Sequence, residues 1–504
     1  SSVELSVADA KSIAADTTGT VTATIASGSR VSKLTELRDP DGAGGGGNEE
    51  NAWTITLHGD DATAATAEQL NTINAATSVA VTSAAITGLA ASDIADLTTL
   101  HSERAGFSTL ANITGITLTN DGGGADGDIN FGDLNTIVNS YQDDINADVA
   151  FSFQAGDTID IDTSDELSAY LTDIGSGALA LTDQKVTVDS SVELSVADAK
   201  SIAADTTGVV TATIASGTRV TKLTELRDPD GAGAGGNEEN AWTITIDVAD
   251  ATSSAANLNT INAATSEQVN AAQVTSISSS SISDVGTLLT SAVATTPREF
   301  TTGSFDNLAS LTISDAEIDV DSLNTAISNA NSAVAGGTVP VFTLAVANAE
   351  IKDGNETAFA NLMTVEGAAG TDNINLGAQL LTIDGTISSI TNANNFTAST
   401  TGTVSGEIVN TTSVADLTTL TNDQANASYS ITINAGDNGT VTAANLNRIN
   451  TATTGSVNLT NVTAIGASNL ADLTTLNTGI GAGGFSNTTG VAGITLTNDG
   501  GGAD

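Results

Sequence analysis

The apolar residues of this chain follow two alternating spacings. Over residues 7–16, V-A-D-A-K-S-I-A-A-D, the apolar Ala10, Ile13 and Ala14 recur at helical intervals, which predicts a short helix. Residues 21–25 alternate apolar and polar as a half-buried strand does. A helical turn is predicted over residues 33–37, a glycine-rich loop over 39–51, and a second alternating strand over 53–57. The same order of helix then strand continues through residues 70–76 and 79–81, 94–100 and 113–118, and 134–138 and 149–153.

This order is written by internal repetition. Residues 70–77, L-N-T-I-N-A-A-T, return unchanged at 258–265 and as L-N-R-I-N-T-A-T at 446–453. A period of this length divides the chain into long repeats at 1–189, 190–378 and a partial one at 379–504, each full copy holding three subunits of about 63 residues. Each subunit halves again into a unit of about 31 residues, a length typical of solenoid turns. The predicted fold class is therefore a repeat solenoid, with parallel β-sheet coils and short helices; a pure parallel β-helix is the alternative. Within the octapeptide, Leu70 and Ile73 read as core positions and the asparagines as caps or turns of the coil. Proline is rare, and Pro340 falls at the start of a predicted strand, where a missing N–H is tolerated.

Composition narrows the partners. Sixty acidic residues against 13 basic ones give a formal net charge of −47. Such a surface repels nucleic acid and anionic lipid and attracts divalent cations. Aromatics are only 3% of residues, so the core must be thin and built from small side chains, yet 39% hydrophobic residues at regular spacing is too apolar for an acidic disordered chain. There is no cysteine for disulfides or thiolate metal sites, and no apolar run approaches the roughly 18 residues of a membrane span. Residues 1–5 recur at 190–194, and residue 504 corresponds to residue 126, so the sequence reads as a segment of a longer repeat array.

Closely spaced oxygen-bearing residues are the strongest candidate chemistry. Residues 126–133, D-G-D-I-N-F-G-D, have the order of a calcium loop of the dockerin and EF-hand kind, with candidate ligands Asp126, Asp128, Asn130 and Asp133, and Asp121 one place out of register. The second copy keeps acidity at Asp315, Glu317 and Asp319 without the glycine turn. The loop D-P-D-G-A-G-G-G-G-N-E-E-N at 39–51, repeated at 228–240, adds Asp39, Asp41, Asp228 and Asp230 as cation ligands. Its acidic flanks exclude a phosphate cradle. Calcium is the implied cofactor.

Catalytic readings find little footing. His58 becomes Asp247 in the next copy, and His101 lies in a polar turn. Asp160 and Asp162, two apart on a predicted strand, read as a solvated stripe, and the equivalent Trp53 and Trp242 read as core anchors. The chain is expected not to be an enzyme.

The A-D-L-T-T-L turns, the L-N-T-I-N-A-A-T module and the I-T-L-T-N-D-G-G-G stretch resemble the Ala/Thr/Asp-rich arrays of giant secreted bacterial surface proteins. The swimming-associated surface proteins of marine cyanobacteria and the RTX-type adhesins are of this kind. The G-G-x-G-x-D nonapeptide of strict RTX proteins is not iterated here. The resemblance implies extracellular or cell-surface display and calcium-assisted folding. The expected function is a structural segment of a surface filament, fibre or surface layer that associates with itself. The alternative is an adhesin binding a glycan or a cell surface through acidic, calcium-dependent loops.

Overall fold

The computed structural model describes residues 3–17, 19–37, 51–119, 128–154, 157–176, 179, 181–226, 240–295, 299–334, 340–366, 373–421 and 426–497. The chain forms two compact units. One comprises Ser1–Thr218, Lys222–Ile244 and Ala263–Glu267, and the other Arg219–Thr221, Thr245–Asn262 and Gln268–Asp504. Both are mixed α/β, with sixteen α-helices over the described residues.

In the first unit, Glu4–Leu5, Thr22–Ile25 and Ala52–Thr54 make one sheet, and Gly88–Ser92, Gly115–Leu118 and Ala150–Phe153 a second. A third runs in the order Glu193–Leu194, Val210–Ile214, Lys185–Val188, Thr158–Ile161, Asp128–Asn130, with Ala241–Thr243 also paired to Val210–Ile214. The second unit holds sheets of four, seven and two strands. In the largest, Glu350–Gly354, Leu380–Ile387, Val404–Ile408 and Ala427–Thr432 are successive parallel neighbours, joined by the helices Glu356–Glu366, Ile390–Ser399 and Val414–Leu417. A parallel pair needs such a crossover, and the alternation of apolar spacings supplies it.

The helices form where the sequence caps them. Helix Ala67–Ala75 begins with a capping box, in which the Thr66 side chain accepts from the Gln69 N–H and the Gln69 side chain accepts from the Thr66 N–H. Its Leu70 and Ile73 are completely buried, each such side chain contributing roughly 1.5–3 kcal/mol. Strands bury alternate residues: Ile159 and Ile161 in one, Val186 and Val188 in its neighbour. Trp53 and Trp242 are fully buried, as the core reading requires.

The solenoid expectation is not met, nor is the pure β-helix. Among the described residues the strands form six separate parallel sheets, none closed or coiled, so the fold is mixed α/β. The apolar period specifies that helix and strand alternate; it does not specify that one hydrogen-bonded ladder runs on unbroken. The ladders here slip. Pairing shifts register between Leu89 and Ser92, between Ile277 and Ser280, and between Ile465 and Ser468, the same place in three copies. An extra residue at such a point bends the strand and disrupts its pairing, a feature invisible to hydrophobic spacing.

Candidate functional site

The described acidic positions of the predicted cation loop, Asp128 and Asp133, lie where strand meets helix. Strand Asp128–Asn130 pairs with Thr158–Ile161 and leads into helix Phe131–Asp144. Asn130 is the N-cap: its Oδ1 accepts from the Asp133 N–H at 3.2 Å, while its Nδ2 donates to Asp162 Oδ2 at 2.8 Å. Nearby, Glu166 Oε2 accepts from the N–H groups of Asp162 and Thr163 at 2.7 and 3.3 Å. Asp133 is exposed and Asp128 half-buried. Asp162 is the residue just past the end of strand Thr158–Ile161, which carries Asp160.

The second copy repeats the junction. Asp319 caps helix Val320–Ala333 by accepting from the Ser322 N–H at 2.6 Å. Asp315 Oδ2 accepts from the Ile282 N–H at 2.6 Å, at the start of helix Ile282–Val293. Glu317 pairs with Lys352 at 2.6 Å, and this hydrogen bond holds the ammonium above the ordinary lysine value. Each of these oxygens serves a positive helix terminus or a lysine, as such termini favour. Asp39, Asp41, Asp121, Asp126, Asp228 and Asp230 lie outside the described residues. Among the described residues no group of three or more His, Asp or Glu side chains is gathered to hold a metal ion.

The histidines have local roles. His58 Nδ1 accepts from the Asp60 N–H at 3.1 Å, and Asp247, its counterpart, accepts from Ala249 N–H at 2.8 Å. Either side chain caps the same short turn, which explains the exchange. His101 Nε2 lies 3.0 Å from Asp144 Oδ2, a carboxylate that Arg104 also reaches at 3.1 Å. Asp144 is 43 positions from His101, and no local sequence pattern links them.

What recurs from copy to copy is a set of polar side chains that bind backbone. Asn71, Asn259 and Asn447 each donate from Nδ2 to the carbonyl of an aspartate in the next helix, Asp96, Asp284 and Asp472, at 2.9 Å in all three. The asparagines therefore join neighbouring helices, where caps or turns were expected. Thr77, Thr265 and Thr453 donate to the carbonyls of Trp53, Trp242 and Tyr429 at 2.8, 2.8 and 2.9 Å. Buried Ser92, Ser280 and Ser468 accept from the first N–H of the helices at Ala67, Ala255 and Ala443. Asp61, Asp250 and Asp437 accept from Val31, Val220 and Val414 N–H at 3.0, 2.8 and 3.0 Å. Only the leucines and isoleucines of the octapeptide were readable as core; the polar partners are about 25–30 residues away, beyond any short motif.

No helix of the described residues is long and apolar enough to cross a membrane. A scan against models of known protein families finds no match to this chain, and a search of curated proteins also finds none.

Proposed function

We propose that the chain is a structural repeat segment of an extracellular bacterial surface filament, fibre or surface layer, self-associating and assisted by calcium. The observation that carries this reading is the spending of the recurring polar side chains. Asn71, Asn259 and Asn447, with Ser92, Ser280 and Ser468, satisfy backbone groups in every copy. Unsatisfied buried polar groups cost roughly 1–3 kcal/mol each, so such side chains maintain architecture. A repeat kept for its architecture suits a load-bearing or space-filling assembly, and the resemblance to secreted surface arrays supplies the location. The acidic surface, at −47, suits divalent cations as bridges between segments.

Electron microscopy of the purified chain, in calcium and in chelator, tests this. Fibres or ordered sheets in calcium are expected; single particles in both conditions, up to millimolar protein, would overturn the reading.

A further inference from the structure

Positive charge is scarce in this chain and unevenly placed. Of the 13 lysines and arginines, eight fall in residues 11–38 and 200–227, two segments 189 positions apart. In the second of these, an open cleft of about 690 Å³ is lined by Ser195, Val196, Lys200, Ala215, Lys222 and Glu225 among others. Lys222 pairs with Glu225 at 2.7 Å and keeps two thirds of its side chain in solvent. Lys200 is exposed and has no ion pair among the described residues. The hydrogen bond from Lys222, and then the charges of both lysines, hold the Glu225 carboxyl below the usual range, so the two ammonium groups act on one spot.

The arrangement is repeated. Nine of the ten residues lining the cleft are identical in the first copy, where Lys11, Lys33 and Glu36 stand for Lys200, Lys222 and Glu225, and Ser29 replaces Thr218. Lys33 meets Glu36 at 2.7 Å, and the hydrogen bond from Lys33, with the charges of Lys33 and Lys11, again lowers that carboxyl. The third copy breaks the pattern. Ser389 caps helix Ile390–Ser399 as Ser195 caps Val196–Asp205, and there Asn394 stands for Lys200 and an exposed Asp416 for Lys222. The third copy of this face thus lacks both lysines and carries an exposed carboxylate in place of one of them.

We infer that the Lys200–Lys222 cleft, with its Lys11–Lys33 counterpart, is the docking face for an acidic surface of a second copy of this chain. Charge complementarity selects that occupant. The rest of the chain carries the large acidic excess, and without a bridging cation two such chains meet most favourably where one presents these clustered lysines. The small side chains of Val196, Ala204 and Ala215 leave room in the cleft for a carboxylate to reach the ammonium groups. Because the lysine face and the acidic surface it meets are different surfaces, the contact is head-to-tail, which closes into a ring or, where the rotation does not close, propagates into an open chain. This inference rests on the self-associating role proposed above and names the surface that performs it.

The test uses the full chain with Lys11→Gln, Lys33→Gln, Lys200→Gln and Lys222→Gln combined, its fold checked by circular dichroism. Sedimentation velocity reads self-association, and a zero-length carbodiimide cross-linker maps lysine–carboxylate neighbours between chains. Self-association at least about tenfold weaker in the variant, with intermolecular cross-links at these lysines in the parent, is expected. Unchanged association overturns the inference and leaves the fibre reading standing. Lysine-dependent dimers without fibres support the cleft and remove the fibre reading. Lysine-dependent binding to a sulfated polysaccharide or to anionic vesicles, with association unchanged, also overturns it.

Discussion

The decapeptide V-A-D-A-K-S-I-A-A-D occurs at residues 7–16 and again at 196–205, one sequence in two surroundings. Both copies form a helix, Val7–Ala15 and Val196–Asp205, and both begin with the same device. Ser6 and Ser195 accept from the N–H of Asp9 and Asp198 at 3.1 Å and donate to the carboxylates of those residues at 2.7 Å. Ala10 and Ala199 are both fully buried. Beyond that the two diverge: Ile13 is 43% exposed and Ile202 is 0%, while Val3 is 79% exposed and Val192 is 7%. The second copy has strand Lys185–Val188 beside it, paired through Val186 to Val210, and helix Ser164–Ser176 nearby. The decapeptide thus specifies its own helix and cap, while the burial of Ile202 comes with strand Lys185–Val188 and helix Ser164–Ser176, which lie outside it.

The widest split between the two copies is expected at the isoleucines. Ile202→Ala removes a fully packed side chain and should cost roughly 2–5 kcal/mol, whereas Ile13→Ala removes one already near half-exposed and should cost under about 1 kcal/mol. Native-state hydrogen exchange of the two helices reads each locally, without assuming a single unfolding transition for the chain. Equal losses of protection in the two helices would show that the burial difference carries no energy.

The same contrast explains what was legible in the sequence. Helical spacing over residues 7–16 and alternation over residues 21–25 produced the helix Val7–Ala15 and the strand Thr22–Ile25, because both patterns are local. Leu70 and Ile73 were readable as core for the same reason. The failed expectation, a continuous coil, concerned which strands pair, a long-range property that local spacing does not carry; the register slips near Ser92, Ser280 and Ser468 are equally invisible to it. Serine at those positions looks like any polar residue; its role is to hold the first N–H of a helix 25 residues earlier. The acidic candidates were equally unreadable in their partners: Asn130, Asp315 and Asp319 accept from helix N–H groups and Glu317 pairs with Lys352, roles that the run of oxygens in sequence does not announce.

If the helix start is a local property, the caps should be worth the same in both surroundings. Ser6→Ala and Ser195→Ala are each expected to cost about 1 kcal/mol in helix opening. Hydrogen exchange at the Asp9 and Asp198 amides is the measurement. A cost confined to Ser195 would mean that capping, too, depends on the neighbouring element, and the division between local and non-local information would have to be redrawn.

The smallest effect concerns the last residue of the decapeptide. Asp205 has a carboxylate oxygen that is buried and without a hydrogen-bond partner among the described residues, and burial raises its pKa. Its counterpart Asp16 is exposed. A carboxyl whose folded pKa lies above its unfolded value penalises the folded state when ionised. That penalty is complete above the raised folded value, falls away as the pH drops through it, and vanishes below the ordinary aspartate value. Asp205→Asn should therefore stabilise helix Val196–Asp205 near neutral pH, by a few tenths of a kcal/mol once solvent screening of this partly exposed group is allowed for. The gain should disappear on acidification toward pH about 4. Asp16→Asn is the matched control for removing one surface charge. A gain at Asp205 that persists unchanged to acid pH would assign it to the side-chain amide and not to the buried charge. The surroundings of the second copy would then differ from those of the first in packing alone.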